Sequence, residues 1–311
     1  MTGTLICYDG RRLGLPPFLN WKLKRTGSVP CDSFEGACPW DGGAEEVLAD
    51  ANRLILEEDG QRRFTGVLDE YELVWDETGG ILSVSGRGMA ALLLDNEARG
   101  QDYQIATLAD ILRDHVTPYG ITVKETRGLP AVPGFSVETG SSEWQVLYSF
   151  ACYHGGVEPW FDVWGQLYVT PSRQKRQIRV DDRTGITGVT WRDRRYGVYS
   201  EVLVQDRGKL SPQRVTNEAF HRQGGQCRRV ITMPGKSTYQ TMRYSGQFQL
   251  DQSARERLRV ELTVPGSCFC EPGDTVTAAL TAPKLLGTWT VLETESVLDE
   301  RGSRVKVTLV E

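Results

Sequence analysis

The chain has 311 residues, of which 39% are apolar and 25% are charged. This composition is typical of a folded protein with room for two or three domains, and it excludes an intrinsically disordered chain. No apolar run approaches the roughly 18–20 residues that span a bilayer. The start, Met1–Leu5, lacks the basic head and apolar stretch of a secretory signal. We therefore expect synthesis in the cytoplasm and no membrane insertion.

The net charge of −5 is unevenly distributed along the chain. Residues 171–230 carry 14 Lys/Arg against 6 Asp/Glu, whereas the remainder is acidic. A basic segment on an acidic protein can bind nucleic acid or an acidic protein surface. Its arginines can equally pair with acidic groups of the same chain or of a sister subunit. We expect no direct nucleic-acid binding.

The seven cysteines stand at positions 7, 31, 38, 152, 227, 268 and 270. An odd number scattered over a long chain differs from the dense, even set of a disulfide framework, so we expect most of them reduced and buried. Cys268 with Cys270, and Cys31 with Cys38, could supply thiolates to a metal. Structural zinc sites rarely use a one-residue gap, and we predict no metal site and no cofactor.

Residues 1–86 are predicted to be rich in β-strands. Asp59-Gly60, between Leu54–Leu56 and Phe64, is a strong hairpin signal because both central positions of a tight primed turn favour positive φ. Thr78–Gly80 is a second turn of the same kind. The run from Met89 to Leu94 contains good helix formers and predicts a short helix after these strands.

The clearest helix is predicted from Thr107 to Tyr119. Thr107 is a candidate cap with Asp110 three residues later. Leu108, Ile111, Leu112 and Val116 form one apolar stripe at helical spacing. Ser142 begins a second helix that Gly155 ends, and an alternating hairpin follows over residues 160–169. Two helices with short strands predict a compact α+β module.

From about Asp181 the chain is again predicted to be rich in β-strands. The expected strands include residues 189–191, 199–205, 229–233 and 275–280, and the last pair is residues 289–298 with Val305–Leu309. Alternation of apolar and polar residues in that last strand is typical of a half-buried antiparallel strand. The polar, glycine-containing stretch Arg207–Gln226 predicts a long exposed loop.

Three blocks of sequence together resemble the baseplate hub proteins of contractile phage tails and related injection systems, the late-control or tail-hub family. The first block runs from Asp32 to Ala98 and includes DSF at 32–34, LILEEDGQRRFTGVL at 54–68 and ILSVSGRGMAALLLD at 81–95. The second comprises TLADIL at 107–112, WQVLYSFA at 144–151 and FDVWGQLYV at 161–169. The third comprises EPGDTV at 271–276, GTWTV at 287–291 and the closing hairpin.

The resemblance implies a mainly β protein in which two barrel-like β-domains flank a small inserted α+β module. We place an N-terminal hub domain at 1–98, the inserted module at 99–178 and a second hub domain at 179–311. In the family, three copies form a ring with pseudo-sixfold symmetry that joins the six-fold tail tube to the three-fold central spike. The implied protein is a structural, non-enzymatic homotrimer in the baseplate of a virion or tail-like particle. Its implied partners are tail-tube, spike and other baseplate proteins.

Enzymatic alternatives have weaker support in the sequence. Cys152-Tyr153-His154 combines a nucleophile with a base, but residues i and i+2 of a helix point in different directions. Acidic pairs occur at 57–58, 69–70 and 181–182, and adjacent acids in a strand point to opposite faces instead of sharing a glycosidase cleft. Gly86-Arg87-Gly88 lacks the third glycine of a phosphate loop. We predict no catalytic, cofactor-binding or metal residues.

Two alternatives to the hub remain open from the sequence, a peptidoglycan-degrading tail hydrolase and a carbohydrate-binding module. The second would use a platform of tryptophans, and the chain has eight, at positions 21, 40, 75, 144, 160, 164, 191 and 289. Most occupy alternating or helical positions that predict burial. Trp164, in a hairpin turn, is expected to be exposed.

Overall fold

The structure is a computed structural model that describes residues 1–27, 31–77, 79–170, 176–208, 211–233, 237–255, 257–266 and 270–311. Strands make up 51% of it and helices 19%, so the expected mainly β fold with an α+β insertion is confirmed. The strand pairs of the described residues show one large continuous sheet and no closed barrel. Among these residues, no helix has the length and apolar content to cross a membrane.

The first part of the chain forms seven strands and two short helices. They are β1 (Thr2–Cys7), β2 (Arg12–Gly14), β3 (Asn20–Thr26), β4 (Ser33–Trp40), α1 (Glu45–Asp50), β5 (Ala51–Glu58), β6 (Gln61–Asp76), β7 (Gly79–Gly88) and α2 (Ala91–Leu94). The predicted β5–β6 turn is confirmed, since Asp59 and Gly60 have φ of 52° and 72°. The turn predicted at 78–80 includes Thr78, which lies outside the described residues. Alternate side chains such as Leu54, Leu56 and Phe64 are buried in one core cluster.

The middle part is the α+β module. Its elements are β8 (Gln101–Ala106), α3 (Leu108–His115), a 3₁₀ turn (Thr117–Tyr119), β9 (Val123–Thr126), β10 (Val132–Val137), α4 (Glu143–Tyr148), a π-helical turn (Ser149–His154), β11 (Trp160–Phe161) and β12 (Leu167–Val169). The predicted caps are confirmed, because Thr107 and Ser142 each form a reciprocal capping box. The predicted stripe on α3 is buried at Leu108 and Ile111 and faces the core of the module.

The last part contains the remaining strands and two helices. They are β13 (Gln177–Asp181), β14 (Gly188–Asp193), β15 (Glu201–Asp206), β16 (Gln213–Thr216), α5 (Glu218–Arg222), β17 (Arg228–Met233), α6 (Tyr239–Arg255), β18 (Leu258–Pro265), β19 (Thr275–Thr281), β20 (Lys284–Asp299) and β21 (Gly302–Val310). The loop predicted over Arg207–Gln226 was wrong, because β16 and α5 lie within it. Residues 209–210 of that stretch lie outside the described residues. The long helix α6 was not predicted.

The large sheet joins the two ends of the chain. Its strand order is β14-β18-β21-β20-β3-β4-β7-β6-β5-β1-β2, with β13 paired to β19 and β19 to β20. The antiparallel pairing of β3 with β20 connects the first part to the last, with Thr26 opposite Glu293 and Trp21 opposite Leu298. Three small sheets lie outside it: β8–β10, β9–β12–β11, and β16–β15–β17. Helix α6 packs on the last of these.

Candidate functional site

A cleft of about 540 Å³ lies where the three parts of the chain meet, and its volume is in the range of ligand pockets. Each part supplies a portion of its wall. Its lining residues include Arg25, Trp144, Trp160, Phe161, Phe248 and Leu292. Apolar and aromatic side chains share the wall with charged ones such as Arg25 and Asp32.

The β11–β12 hairpin contributes Trp160 and Phe161 to the cleft wall. Trp160 and Tyr168 are cross-strand partners whose rings stack with centroids 4.1 Å apart. Asp162 Oδ1 accepts hydrogen bonds from the backbone N–H groups of Trp164 and Gln166, both at 2.9 Å. These bonds fix the turn and leave Trp164 exposed, as predicted, with 55% of its surface accessible.

Arg25 supplies the positive charge in the cleft wall and is 5% exposed. Its Nη1 lies 2.9 Å from Glu271 Oε1, and its Nη2 donates to the backbone carbonyl of Arg63. One buried side chain therefore bonds to both the first and the last parts of the chain. A buried guanidinium with two fixed partners acts here as a structural tie.

The carboxylates of the cleft all have partners within the protein. Asp32 Oδ1 accepts from the backbone N–H of Thr26 at 3.0 Å, Glu158 accepts from the side-chain amide of Gln252, and Asp162 holds the hairpin turn. Each of these carboxylates is engaged in a contact that holds the local structure.

The cysteine–histidine motif is not assembled as a catalytic pair. Cys152 is buried, and burial raises the pKa of its thiol to about 12, so the thiol is protonated at neutral pH. His154 packs against the rings of Phe135 and Phe150, with centroids 5.8 and 6.4 Å away, and burial lowers the pKa of its imidazole. The contacts of His154 are those of a core histidine.

Sequence reasoning missed a buried polar network around His115. His115 Nδ1 lies 2.6 Å from Glu143 Oε2, and both residues are more than nine-tenths buried. Tyr119 donates to Glu143 Oε1 at 2.8 Å, and the Tyr103 hydroxyl lies 3.1 Å from His115 Nε2. His115 follows Ile111 by four residues, and this spacing predicts that His115 lies on the buried face of α3. The network bonds α3 to α4 and β8 inside the module.

The described cysteines do not form a metal site. Among the residues that the structure describes, no group of three or more His, Cys, Asp or Glu side chains could hold a metal ion. Six cysteines are free, and four of these, at positions 7, 38, 152 and 270, are buried. Burial raises the pKa of Cys31 and of Cys270 to about 12 and that of Cys38 to about 11. Cys268, the candidate partner of Cys270, lies outside the described residues.

The acidic pairs and the Gly86-Arg87-Gly88 motif occupy structural positions. Glu57 pairs with Arg62 at 3.2 Å across the β5–β6 hairpin, and Asp69 pairs with Arg87 at 2.8 Å. Gly86-Arg87-Gly88 lies inside β7, paired with β4 and β6, and not in a loop before a helix. A paired strand directs its N–H groups to its neighbours and cannot cradle a phosphate.

The exposed tryptophans are distributed over separate elements. Trp75 lies near the end of β6, Trp164 in the β11–β12 turn and Trp191 on β14, with 57%, 55% and 44% of their surfaces exposed. The guanidinium of Arg62 lies 4.5 Å from the ring centroid of Trp164, and Trp191 contacts the buried Trp289. Each ring thus has its own local packing, and these contacts do not build a shared sugar platform.

The basic segment is largely paired within the chain. Its arginines form ion pairs at Arg176–Asp274, Arg179–Asp181, Arg192–Glu261, Arg195–Asp193, Arg207–Glu138, Arg214–Glu201 and Arg228–Glu201. Such pairing favours the intramolecular interpretation of the charge excess over nucleic-acid binding. Residues 171–175, at the start of the segment, lie outside the described residues.

Comparison with protein-family models and with curated proteins found no match. Solved structures do match over the whole length. A tail protein from Neisseria meningitidis MC58 aligns with a TM-score of 0.79 and 18% identity, covering 100% of this chain and 96% of the other. The 43 kDa tail protein of prophage MuSo2 from Shewanella oneidensis aligns with a TM-score of 0.75 and 17% identity, covering 100% and 98%.

A more distant match is the E. coli c3393 protein, a component of the type VI secretion system. It has a TM-score of 0.57 and 12% identity and covers 94% of this chain and 73% of its own. At these identities the likeness shows the fold. The chain has the fold of phage tail proteins, and the resemblance expected from its sequence is confirmed at that level.

Proposed function

We propose that the chain is a structural baseplate hub protein of a phage tail or a phage tail-like contractile particle. Three copies form a ring that joins the six-fold tail tube to the three-fold central spike. The protein has no turnover and needs no cofactor. In this proposal residues 1–98 and 179–311 supply the two hub domains and residues 99–178 the inserted module.

The observation that carries the proposal is the two-way, full-length match with tail proteins. The match covers 100% of this chain and 96% of the Neisseria meningitidis tail protein, so the shared fold extends along both. The architecture fits a load-bearing part, because one thirteen-stranded sheet runs through both ends of the molecule. Fold likeness alone does not give function, and the proposal therefore needs a direct test.

The sheet ends in strands that a neighbouring copy can use. β14 is the last strand in the order and pairs only with β18 among the described strands. An unpaired edge is a liability unless it is covered or joined to another chain. Closed cyclic symmetry lets one chain cover its own edges in a ring. Trp191 on β14 is half-exposed and adds an apolar contact at this edge.

The first experiment is light scattering on the purified protein over a range of concentrations. A stable species of three times 34.8 kDa supports the ring, and a monomer at every concentration, also with tube and spike proteins added, contradicts it. Reversing the charges of Arg194 and Arg195 tests the proposed contact of the basic segment with an acidic neighbour. Arg113→Glu, on the exposed face of α3, is the matched control. Clearing of cell-wall suspensions by the protein would favour the hydrolase instead.

A further inference from the structure

A second groove, of about 1020 Å³, separates the π-helical turn from α6 and β16. Cys152 and Tyr153 of the π-helical turn line one wall. The other wall is formed by the whole of β16 together with one face of α6. The side chains of α6 on this wall include Arg243, Tyr244, Ser245 and Asp251. The proposed hub function assigns no role to this groove.

The groove runs along the free edge of β16. All four consecutive residues, Gln213–Thr216, line it, although neighbouring side chains of a strand point to opposite faces. Within the described strands, β16 pairs only with β15. Because the cavity contacts residues from both faces of β16, and β16 has a strand partner on one side, the cavity lies beside the open edge of this strand.

The hydrogen-bond alternation identifies the groups at this edge. The backbone N–H of Asn217 donates to the Ser200 carbonyl at 2.8 Å, which makes these two residues a hydrogen-bonded antiparallel pair. Because such pairs recur at every second residue, Val215 and Gln213 bond to β15. Arg214 and Thr216 then direct their N–H and C=O groups toward the groove. A further strand can pair with these groups.

A buried polar atom inside the groove lacks a partner. Ser245 is 4% exposed and lines the groove, and its Oγ makes no hydrogen bond to any described residue. Gly246 allows α6 to lie so close to the sheet, since a Cβ there would be 2.6 Å from Val215 Cγ2. An unsatisfied buried hydroxyl is unfavourable, and a ligand carbonyl or amide would supply its missing hydrogen bond.

The charge and shape of the groove define what it accepts. Arg243 is exposed and forms no ion pair with a described residue, whereas Arg214 shares Glu201 with Arg228. The acidic group on the groove, Asp251, accepts from Gln247 at 2.8 Å. An extended backbone with an acidic side chain near Arg243 complements this surface. Exposed Tyr244 offers a flat apolar contact beside it.

We propose that this groove binds an extended, acidic segment of another protein, which adds as a strand to the free edge of β16. Its backbone pairs with Arg214 and Thr216, a carboxylate contacts Arg243, and a polar backbone group bonds to Ser245. The proposal goes beyond the hub function and does not depend on the trimeric ring.

The test measures binding of a short synthetic peptide in which valine and glutamate alternate, by titration calorimetry with the full-length protein. We expect a measurable dissociation constant below about 1 mM. Two probe controls are a peptide with lysine in place of glutamate and a peptide N-methylated at alternate residues. Both controls should bind at least tenfold more weakly, because one reverses the charge and the other removes strand donors.

Variants of the protein distinguish the contribution of the β16 backbone to peptide binding from that of the side chains. Arg214→Pro removes the outward N–H without removing a β15 hydrogen bond, and Arg214→Ala removes the same side chain while keeping the N–H. We expect at least tenfold weaker binding for Arg214→Pro than for Arg214→Ala. Arg243→Glu should weaken binding tenfold or more, and Arg222→Glu, on α5 outside the lining residues, should leave it unchanged. Circular dichroism checks the fold of each variant.

Three outcomes overturn the proposal. Equal binding of the N-methylated and unmodified peptides, or no binding at about 1 mM, excludes strand addition at β16. A smaller particle mass for Arg214→Pro than for the unsubstituted chain would show that a second copy occupies the edge. Failure of the trimeric ring is a separate result, because peptide binding is measured equally well on a monomer.

Discussion

Replacing Asp274 with alanine should strongly destabilise the last part of the chain. Asp274 belongs to the Pro-Gly-Asp turn before β19 and is 5% exposed. Its Oδ2 accepts from Arg176 Nη2 at 2.6 Å and from the backbone N–H of Glu271 at 2.8 Å. Its Oδ1 accepts from the backbone N–H of Arg176 at 3.2 Å. The carboxylate thereby fixes both the turn and the start of β13, the parallel partner of β19.

The size of the effect follows from these contacts. Leaving the backbone N–H groups of Glu271 and Arg176 without their acceptor costs about 1 kcal/mol or more each. The Arg176 side chain is 54% exposed, so its ion pair adds at most about 1 kcal/mol. We therefore expect a loss of about 3 kcal/mol in the local free energy of opening. That loss corresponds to roughly a hundredfold lower protection of the amides against exchange.

Hydrogen exchange of the β13 and β19 amides measures this loss directly. Asp299→Ala is the matched control, because Asp299 accepts from Arg304 and from the backbone N–H of Arg301 in the exposed β20–β21 turn. Because its contacts are exposed to solvent, we expect a much smaller loss of amide protection than for Asp274→Ala. Equal, small losses in both variants would refute the reasoning that burial makes the Asp274 contacts decisive.

Three further predictions concern packing and titration. Gly246→Ala places a Cβ 2.6 Å from Val215 Cγ2 and should lower the local stability of α6 by about 1–3 kcal/mol, as measured by amide exchange. Cys152 should resist iodoacetamide at neutral pH in the folded protein, because burial raises the pKa of its thiol to about 12; peptide mass spectrometry after quenching measures this. The hydrogen bonds from Arg304 and the Arg301 N–H lower the pKa of Asp299 to about 2. The stabilisation by this carboxylate should therefore be complete above about pH 4 and lost as the pH falls through 2, and NMR titration of Arg304→Met should return the pKa toward 3.8.

Each of these predictions has an internal control. Gln247→Ala, one residue along and exposed, should change the stability of α6 by less than about 0.5 kcal/mol. Cys227 is only partly buried and should react before Cys152 in the same sample. An Asp299 that titrates near 4 in the unsubstituted protein would contradict the hydrogen bonds of the turn. Comparable reaction rates for the two thiols would contradict the burial of Cys152.

Local signals made the module predictable from the sequence. The ends of α3 and α4 follow from Thr107 and Ser142, whose capping boxes involve residues only three positions away. The apolar stripe of α3 predicts its buried face, again because the signal lies within neighbouring turns of the same helix. The β5–β6 hairpin follows from Asp59-Gly60, where the residue types alone favour the required φ.

Helix α6 escaped prediction because half of its buried face is not apolar. Its buried residues are Met242, Ser245, Gly246 and Leu250, which do recur at helical spacing. Ser245 and Gly246 are not hydrophobic residues, so a search for apolar periodicity misses half of the buried face. Gly246 is there because the sheet lies too close for a side chain, and that reason appears only when the fold is known.

Strand β16 and its groove were beyond sequence reasoning for a different cause. Gln213–Thr216 is mostly polar, as befits a strand with one partner and one open edge. It therefore resembled a loop. The groove also combines positions near 152, 214 and 243, which only the packing of the module on α6 brings together. Long-range juxtaposition of this kind has no local signature.

The large sheet is held more firmly than the α6 unit, which comprises α6 and the small β16–β15–β17 sheet. The first and last parts share the β3–β20 strand pair, the bond from the Gly27 N–H to the Leu292 carbonyl at 2.8 Å, and buried Arg25. These parts cannot separate without breaking a run of backbone hydrogen bonds. The α6 unit has a small core of five buried residues and contacts the module through exposed pairs such as Arg207–Glu138. A partner strand can therefore be accommodated at the groove while the sheet that would bear load stays intact.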